Sequence, residues 1–333
     1  MLKDITSSAI TQISKQVPNR EKLTQLALVA LFSGGHILLT CNTGNGKSTW
    51  TKALAQTLGL SHGRVRIHDN IYIDEVFGNF AWNEDTRIND VWLPGAMFNQ
   101  VVQVDNINTA NPSLYDSIAD AMEFKCVNPY IRSEKTIQPP KPFFIIASVE
   151  ETSHEIPKEA SGETSGAIKD NTPPLPESIH DRFMFKLPLH HPGVVAEKQI
   201  LQALNTCEES SIKPADTPLP VCNAQAIIQA KKEAQAVIVD DQVLNYIIST
   251  VETTRRVNAV KTGVSLRATK ALTQGTKAYA AMQGRDYATI DDVRYLATPV
   301  LAHRLKLTQA AQQDGLTPEK VIESILTGKK PGM

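Results

Sequence analysis

Eight residues constrain this chain more than any others. Cys41-Asn42-Thr43-Gly44-Asn45-Gly46-Lys47-Ser48 follow a short apolar run, His36–Thr40, and precede a helically spaced segment, Ser48–Leu60. The pattern G-x-x-x-x-G-K-[ST] is met everywhere except its first glycine, which is Cys41. Glycines let successive backbone N–H groups curl toward one phosphate, and the helix that follows adds its positive end. The phosphate-binding candidates are therefore Asn42, Thr43, Gly44, Asn45, Gly46, Lys47, Ser48 and Thr49. Lys47 would reach the β- and γ-phosphates, and Ser48 would ligate Mg²⁺. The bland alternative is a glycine-rich turn with a surface lysine. A strand before the loop and a helix after it weigh against that alternative.

A loop of this kind needs an acid at the end of a neighbouring strand. Val101-Val102-Gln103-Val104-Asp105 supplies one, and Asp105 joins Ser48 as a candidate Mg²⁺ residue. Further strands are predicted at Arg64–His68, Phe143–Ala147 and Met184–Leu187. Their nearly continuous apolar character fits parallel strands covered on both faces. Strands alternating with helical stretches predict an α/β fold, a parallel five-stranded sheet flanked by helices. Helices are predicted at 6–18 and 20–33. After about residue 193 the strand signal ends, and helices are predicted at 224–237, 240–254 and 265–283. Two more are predicted to begin at Thr289 and Thr317 with capping signals. The domains so read are a nucleotide-binding core, 1–193, and a small all-helical domain, 194–333.

Charge and cysteine content exclude several classes. Lys and Arg total 34 against 35 Asp and Glu, so a nucleic-acid binder, which usually carries a basic excess, is disfavoured. None of the four cysteines sits in a C-x-x-C pair. The longest apolar run, Leu26–Phe32, is too short to span a bilayer. A soluble cytoplasmic protein is the expectation.

Taken in order, the motifs resemble the MoxR group of AAA+ ATPases over nearly the whole chain. Leu93-Pro94-Gly95-Ala96-Met97-Phe98-Asn99 resembles that group's approach to the Walker-B strand. Ala121-Met122-Glu123 is similar to its next helix, and Pro142–Ala147 to its sensor-1 strand. Leu175–Phe183 resembles its Leu-Pro-Glu-Ala-x-Leu-Asp-Arg-Phe motif. Ser265-Leu266-Arg267-Ala268 resembles its sensor-2 helix start, and Gly284–Val293 with His303-Arg304-Leu305 the end of its lid. The resemblance implies an AAA+ core with a helical lid that binds ATP or ADP with Mg²⁺. It implies a homo-oligomeric ring, usually a hexamer, acting as a chaperone-like machine. Its partner protein often carries a von Willebrand factor A domain. Arg182 would be an arginine finger for the neighbour's nucleotide, and Arg267 would contact the γ-phosphate from the lid. A helix insertion near 69–92, holding Trp82 and Trp92 at its edge, and a hairpin near 125–141 are also implied.

Three departures from the group stand out. The residue after the Walker-B Asp is normally Glu and here is Asn106. The sensor-1 position, normally Asn, falls on Glu150. The pair reads as an exchange, with Glu150 as the water-activating base and Asn106 as the positioning amide. The alternative is a nucleotide-binding scaffold that hydrolyses ATP weakly or not at all. Third, the loop 151–173 is longer than the group's usual connection and is expected near a protomer interface.

Overall fold

The computed structural model describes residues 1–42, 44–68, 70–83, 88–124, 126, 137–150, 174–198, 202 and 219–328. Two helices, α1 (Leu2–Gln16) and α2 (Glu21–Ser33), precede β1 (Ile37–Thr40) and α3 (Lys47–Thr57). Gly34, at φ +76°, ends α2 in a left-handed cap. Then come β2 (His62–Arg66), α4 (Ile73–Phe77), β3 (Gly78–Asn83), β4 (Ile88–Pro94) and β5 (Val101–Asp105). They are followed by α5 (Pro112–Glu123), β6 (Phe144–Val149), α6 (Glu177–His180) and β7 (Phe185–Pro188). The main sheet is parallel, in the order β2-β5-β6-β1-β7.

Side chains alternate between its faces with a period of two. Ile37 and Leu39 of β1, with Phe144 and Ile146 of β6, join one apolar cluster. Leu38, Ile145 and Ala147 join the other. This is why the strands read as continuously apolar: both faces are covered.

The segment 69–92 corrects the expected helix insertion. Among the described residues of the segment only α4 is helical; β3 and β4 form an antiparallel hairpin with a bulge at Ala81/Trp82. The physical reason is local. Gly78, at φ +98°, stops α4. Phe80 then sits opposite Trp92, ring centroids 5.0 Å apart, and Trp92 meets Phe98 edge-on at 5.2 Å. The hairpin closes at its base because a Cβ on Gly78 would lie 2.1 Å from the Leu93 carbonyl oxygen. Asp69, residues 84–87 and the Trp82 side chain lie outside the described residues, as do most of the expected 125–141 hairpin and the whole 151–173 loop.

Beyond β7 come α7 (residues 194–198), α8 (Ala224–Ala236), α9 (Asp241–Arg256), α10 (Leu266–Met282) and α11 (Ile290–Leu301). Two further helices are α12 (Gln309–Gln313) and α13 (Pro318–Thr327). The Thr289–Asp292 capping box and the Thr317 N-cap form as predicted. One feature differs from an all-helical reading: β8 (Val260–Thr262) pairs with β9 (Lys306–Leu307) in a small ribbon. Such two- and three-residue strands carry too little periodicity to read from sequence. One continuous core joins Leu2, Ile13, Leu28 and Phe32 to Leu272, Leu296 and Val300. The first two helices thus cement the C-terminal helices onto one face of the sheet.

Candidate functional site

The phosphate loop leaves β1 at Cys41, whose N–H donates to the Val149 carbonyl at 3.2 Å. Gly44 and Gly46 adopt φ of +86° and +75°, and the space where a Cβ would stand is open at both. Glycine is therefore required there by backbone conformation, not by crowding. Asn45 is buried and donates from Nδ2 to the Leu189 carbonyl at 2.9 Å. Its own carbonyl accepts from Arg20 Nη2 at 3.1 Å, and Arg20 also donates to the His190 carbonyl at 2.8 Å. The loop is thus fastened to the segment just beyond β7. Asn42, Gly44 and Thr49 are exposed; Thr43 lies outside the described residues.

Lys47, at the start of α3, places Nζ 2.7 Å from Asp105 Oδ1 and 2.6 Å from Ser148 Oγ. Arg64 Nε reaches Asp105 Oδ2 at 2.8 Å, and Ser148 donates to Oδ1 at 3.3 Å. Burial pushes the Asp105 pKa up. Hydrogen bonds from Lys47 and Gln103, the Lys47 charge and the Arg64 hydrogen bond outweigh it, so the carboxyl sits below its ordinary range. Ser48 Oγ accepts from Gln103 Nε2 at 2.9 Å. The same nitrogen lies 2.9 and 3.0 Å from the two Asp105 oxygens.

Lys47, Ser48 and Asp105 therefore meet at the carboxyl ends of β1 and β5. Their chemistry fits a magnesium nucleotide: a hydroxyl and a carboxylate are hard oxygen donors beside a lysine. Among the described residues, no group of three His, Cys, Asp or Glu side chains could hold a metal ion. Mg²⁺ would thus lean on Ser48, Asp105, water and phosphate oxygens, its usual habit in such sites.

Asn106 and Glu150 leave the carboxyl ends of adjacent strands. Val104 pairs with Ala147, so both residues emerge at the same rim. Asn106 has φ +57°, a left-handed conformation that Asn tolerates better than most residues. Glu150 is exposed; burial first, then the charges of Asp105 and Glu150, raise the Cys41 thiol pKa against the opposing charge of Lys47.

Arg182 and Arg267 stand together, and at the other end of the sheet. Starting beyond the carboxyl end of β5, α5 runs back for about 18 Å to Glu123. Its preceding residue, Met122, offers its carbonyl to His36 Nε2 at the amino end of β1. There Glu123 takes Arg182 at 3.1 Å and Arg267 at 3.3 Å. Asp181 takes Arg267 at 2.9 Å and Arg304 at 3.0 Å. The Arg304 side chain is 2% exposed and donates to the carbonyls of Asp181, Phe183 and Val300. Burial brings its pKa down to about 10, against the pull of Asp181. These arginines line a cleft of about 390 Å³ with Lys270 and Met122. Within one chain, Lys47 is therefore apart from both arginines.

Sequence reasoning missed Gln103, Ser148, Arg64 and Arg20. Gln103 had a signal: it is the one polar residue inside an apolar strand, two positions before Asp105 and so on the same face. Arg20 had none, because its targets are backbone carbonyls far along the chain.

Comparison with known proteins agrees with the fold. Residues 36–185 match the ATPase family associated with various cellular activities, and residues 252–325 match the AAA lid domain. The chain is 30% identical to the uncharacterized Bacillus subtilis protein YeaC, over 99% of this chain and 95% of that protein. It is 24% identical to chaperone MoxR1 of Mycobacterium tuberculosis, over 96% of this chain and 80% of that protein. It is 22% identical to protein MoxR of Paracoccus denitrificans, over 93% and 92%. The fold matches the crystal structure of a Cytophaga hutchinsonii protein proposed to be an ATPase, with a TM-score of 0.83. That match has 23% identity and covers 98% of this chain and 94% of the other.

Proposed function

This chain belongs to the MoxR family of AAA+ ATPases, and from that premise we propose that it hydrolyses ATP in a homo-oligomeric, hexameric ring that remodels a partner protein. The observation that carries the reading is the meeting of Lys47, Ser48 and Asp105 beneath a loop of left-handed glycines. Lys47 would leave Asp105 for the β/γ-phosphate oxygens, and Asp105, ionised at neutral pH, would stay with Ser48 to hold Mg²⁺. When bound, Mg²⁺ supplies charge neutralisation on those oxygens. Glu150 would accept the proton of the attacking water, and Asn106 would orient it. Arg182 and Arg267 share Glu123, so both would be offered to the phosphate of the next protomer. There they would neutralise charge developing on the transferred group.

A partner carrying a von Willebrand factor A domain is the class to seek by co-purification, and a cytoplasmic site of action fits the charge and cysteine content. No helix among the described residues is long and apolar enough to cross a membrane.

Steady-state ATP hydrolysis by the assembled ring tests the reading. Lys47→Ala abolishes it, and Glu150→Gln lowers it about 100-fold or more. Full activity in Glu150→Gln rejects the base assignment. One observation favours a second reading. Asn106 brings no carboxylate to the Walker-B rim, and its left-handed backbone gives Asn a purely conformational reason to be there. An assembled ring that binds ATP and turns none over would make the chain a nucleotide-gated scaffold.

A further inference from the structure

The Gln103 amide occupies an unusual position. It is wholly buried, on a central strand whose other side chains before Asp105 are apolar. Burying an amide costs free energy unless its donors and acceptors are matched. Its Nε2 is matched three times over, to Ser48 Oγ and to both Asp105 oxygens. Its Oε1 is buried and meets no donor. The orientation follows from the network, because turning the amide over would aim Oε1 at the carboxylate. The donor face of a neutral amide thus fills the gap between the two residues expected to hold Mg²⁺.

We propose that Gln103 is a metal-responsive positioning residue, donor without the metal and acceptor with it. The inference rests on the magnesium-nucleotide reading above. With a cation held between Ser48 and Asp105, the amide N–H groups would face positive charge. The Ser48 oxygen would give a lone pair to the cation and turn its hydrogen outward, and water on the cation would present hydrogens as well. With the Asp105 charge taken up by the cation, a half-turn of the amide would no longer set Oε1 against a bare carboxylate and would offer the orphaned oxygen to those hydrogens. No chain movement is required, only one terminal torsion.

The test is binding of a fluorescent ATP analogue to the full chain, with and without Mg²⁺, alongside thermal melting. Gln103→Met keeps length and volume but neither donates nor accepts. It should bind the metal-free analogue within twofold of wild type and lose about five- to tenfold of the Mg²⁺ enhancement. Gln103→Glu keeps an acceptor and loses the donor. It should retain the Mg²⁺ enhancement and melt lower without the metal. A full enhancement in Gln103→Met, or its loss in Gln103→Glu, overturns the proposal. Melting curves confirm that each variant is folded. Wild type that fails to bind the analogue with Mg²⁺ rejects the nucleotide reading itself, and the inference with it.

Discussion

Replacing Arg304 by Met removes a guanidinium that ties the lid to the segment beside Arg182. Its side chain is 2% exposed and donates to three carbonyls, at 2.6, 2.8 and 3.0 Å. Breaking a buried ion pair by deleting one partner costs about 3–5 kcal/mol. Here the loss lies at the low end, about 3 kcal/mol, because Asp181 is partly exposed and keeps Arg267 at 2.9 Å. In a chain of 333 residues that is a fall in melting temperature of about 4 °C. Differential scanning calorimetry measures it. Arg267→Ala is the control, because its side chain is 42% exposed and its ion pairs are screened. It should shift melting by no more than about 2 °C. Hydrogen exchange supplies the second readout: the amides of residues 179–184 should open faster in Arg304→Met and remain protected in Arg267→Ala. A fall under about 2 °C in Arg304→Met, or equal effects of the two variants, would refute the latch.

Mixing Lys47→Ala with Arg182→Ala chains should restore ATP hydrolysis that neither shows alone, since intact sites then form between unlike neighbours; a mixture as inactive as its parts rejects action across the interface. Acid stability should respond to Asp105. Its folded pKa is depressed, so its contribution is complete above about pH 4 and is lost as pH falls through the folded value. Asp105→Asn should flatten that limb in melts from pH 2.5 to 5. Burial first, with Lys186 and Arg304 behind it, holds His180 at about 4, and burial holds its edge-on neighbour His303 well below the ordinary range. Both must be neutral to fold, so stability is full above about pH 6.5 and declines as pH falls toward 4. A His180→Phe, His303→Phe double variant should lose that slope in melts taken every half unit.

Much of the fold was legible because local chemistry dictated it. The glycines of the phosphate loop, the Thr289–Asp292 box and the Thr317-Pro318 start each satisfy a backbone requirement within a few residues. The hairpin at 78–94 was not legible as such. The pairing of Phe80 with Trp92 is a contact between residues twelve apart in the chain, which strand periodicity alone does not display. At the site, Lys47, Ser48 and Asp105 carried a spacing that a sequence displays. Ser148 and Arg64 reach Asp105 from neighbouring strands, a proximity created only by sheet order. The clustering of Arg182, Arg267 and Arg304 around two acids likewise depends on where α5 ends and how the lid lies.

The shared core has a mechanical consequence. Lever-like machines need a stiff arm and a compliant joint. Here the arm includes the lid, because swinging α10 away from α2 would bare Leu28, Phe32 and Leu272 to water. Each fully buried side chain of that kind resists exposure by about 1.5–3 kcal/mol. In the proposed assembly the compliance would then fall to the seams between chains, where the exposed, screened pairs of Arg182 and Arg267 could trade partners cheaply. In the proposed ring, torque would pass by rocking whole protomers against one another, and the softest elements would be the acids that hold Arg182 and Arg267.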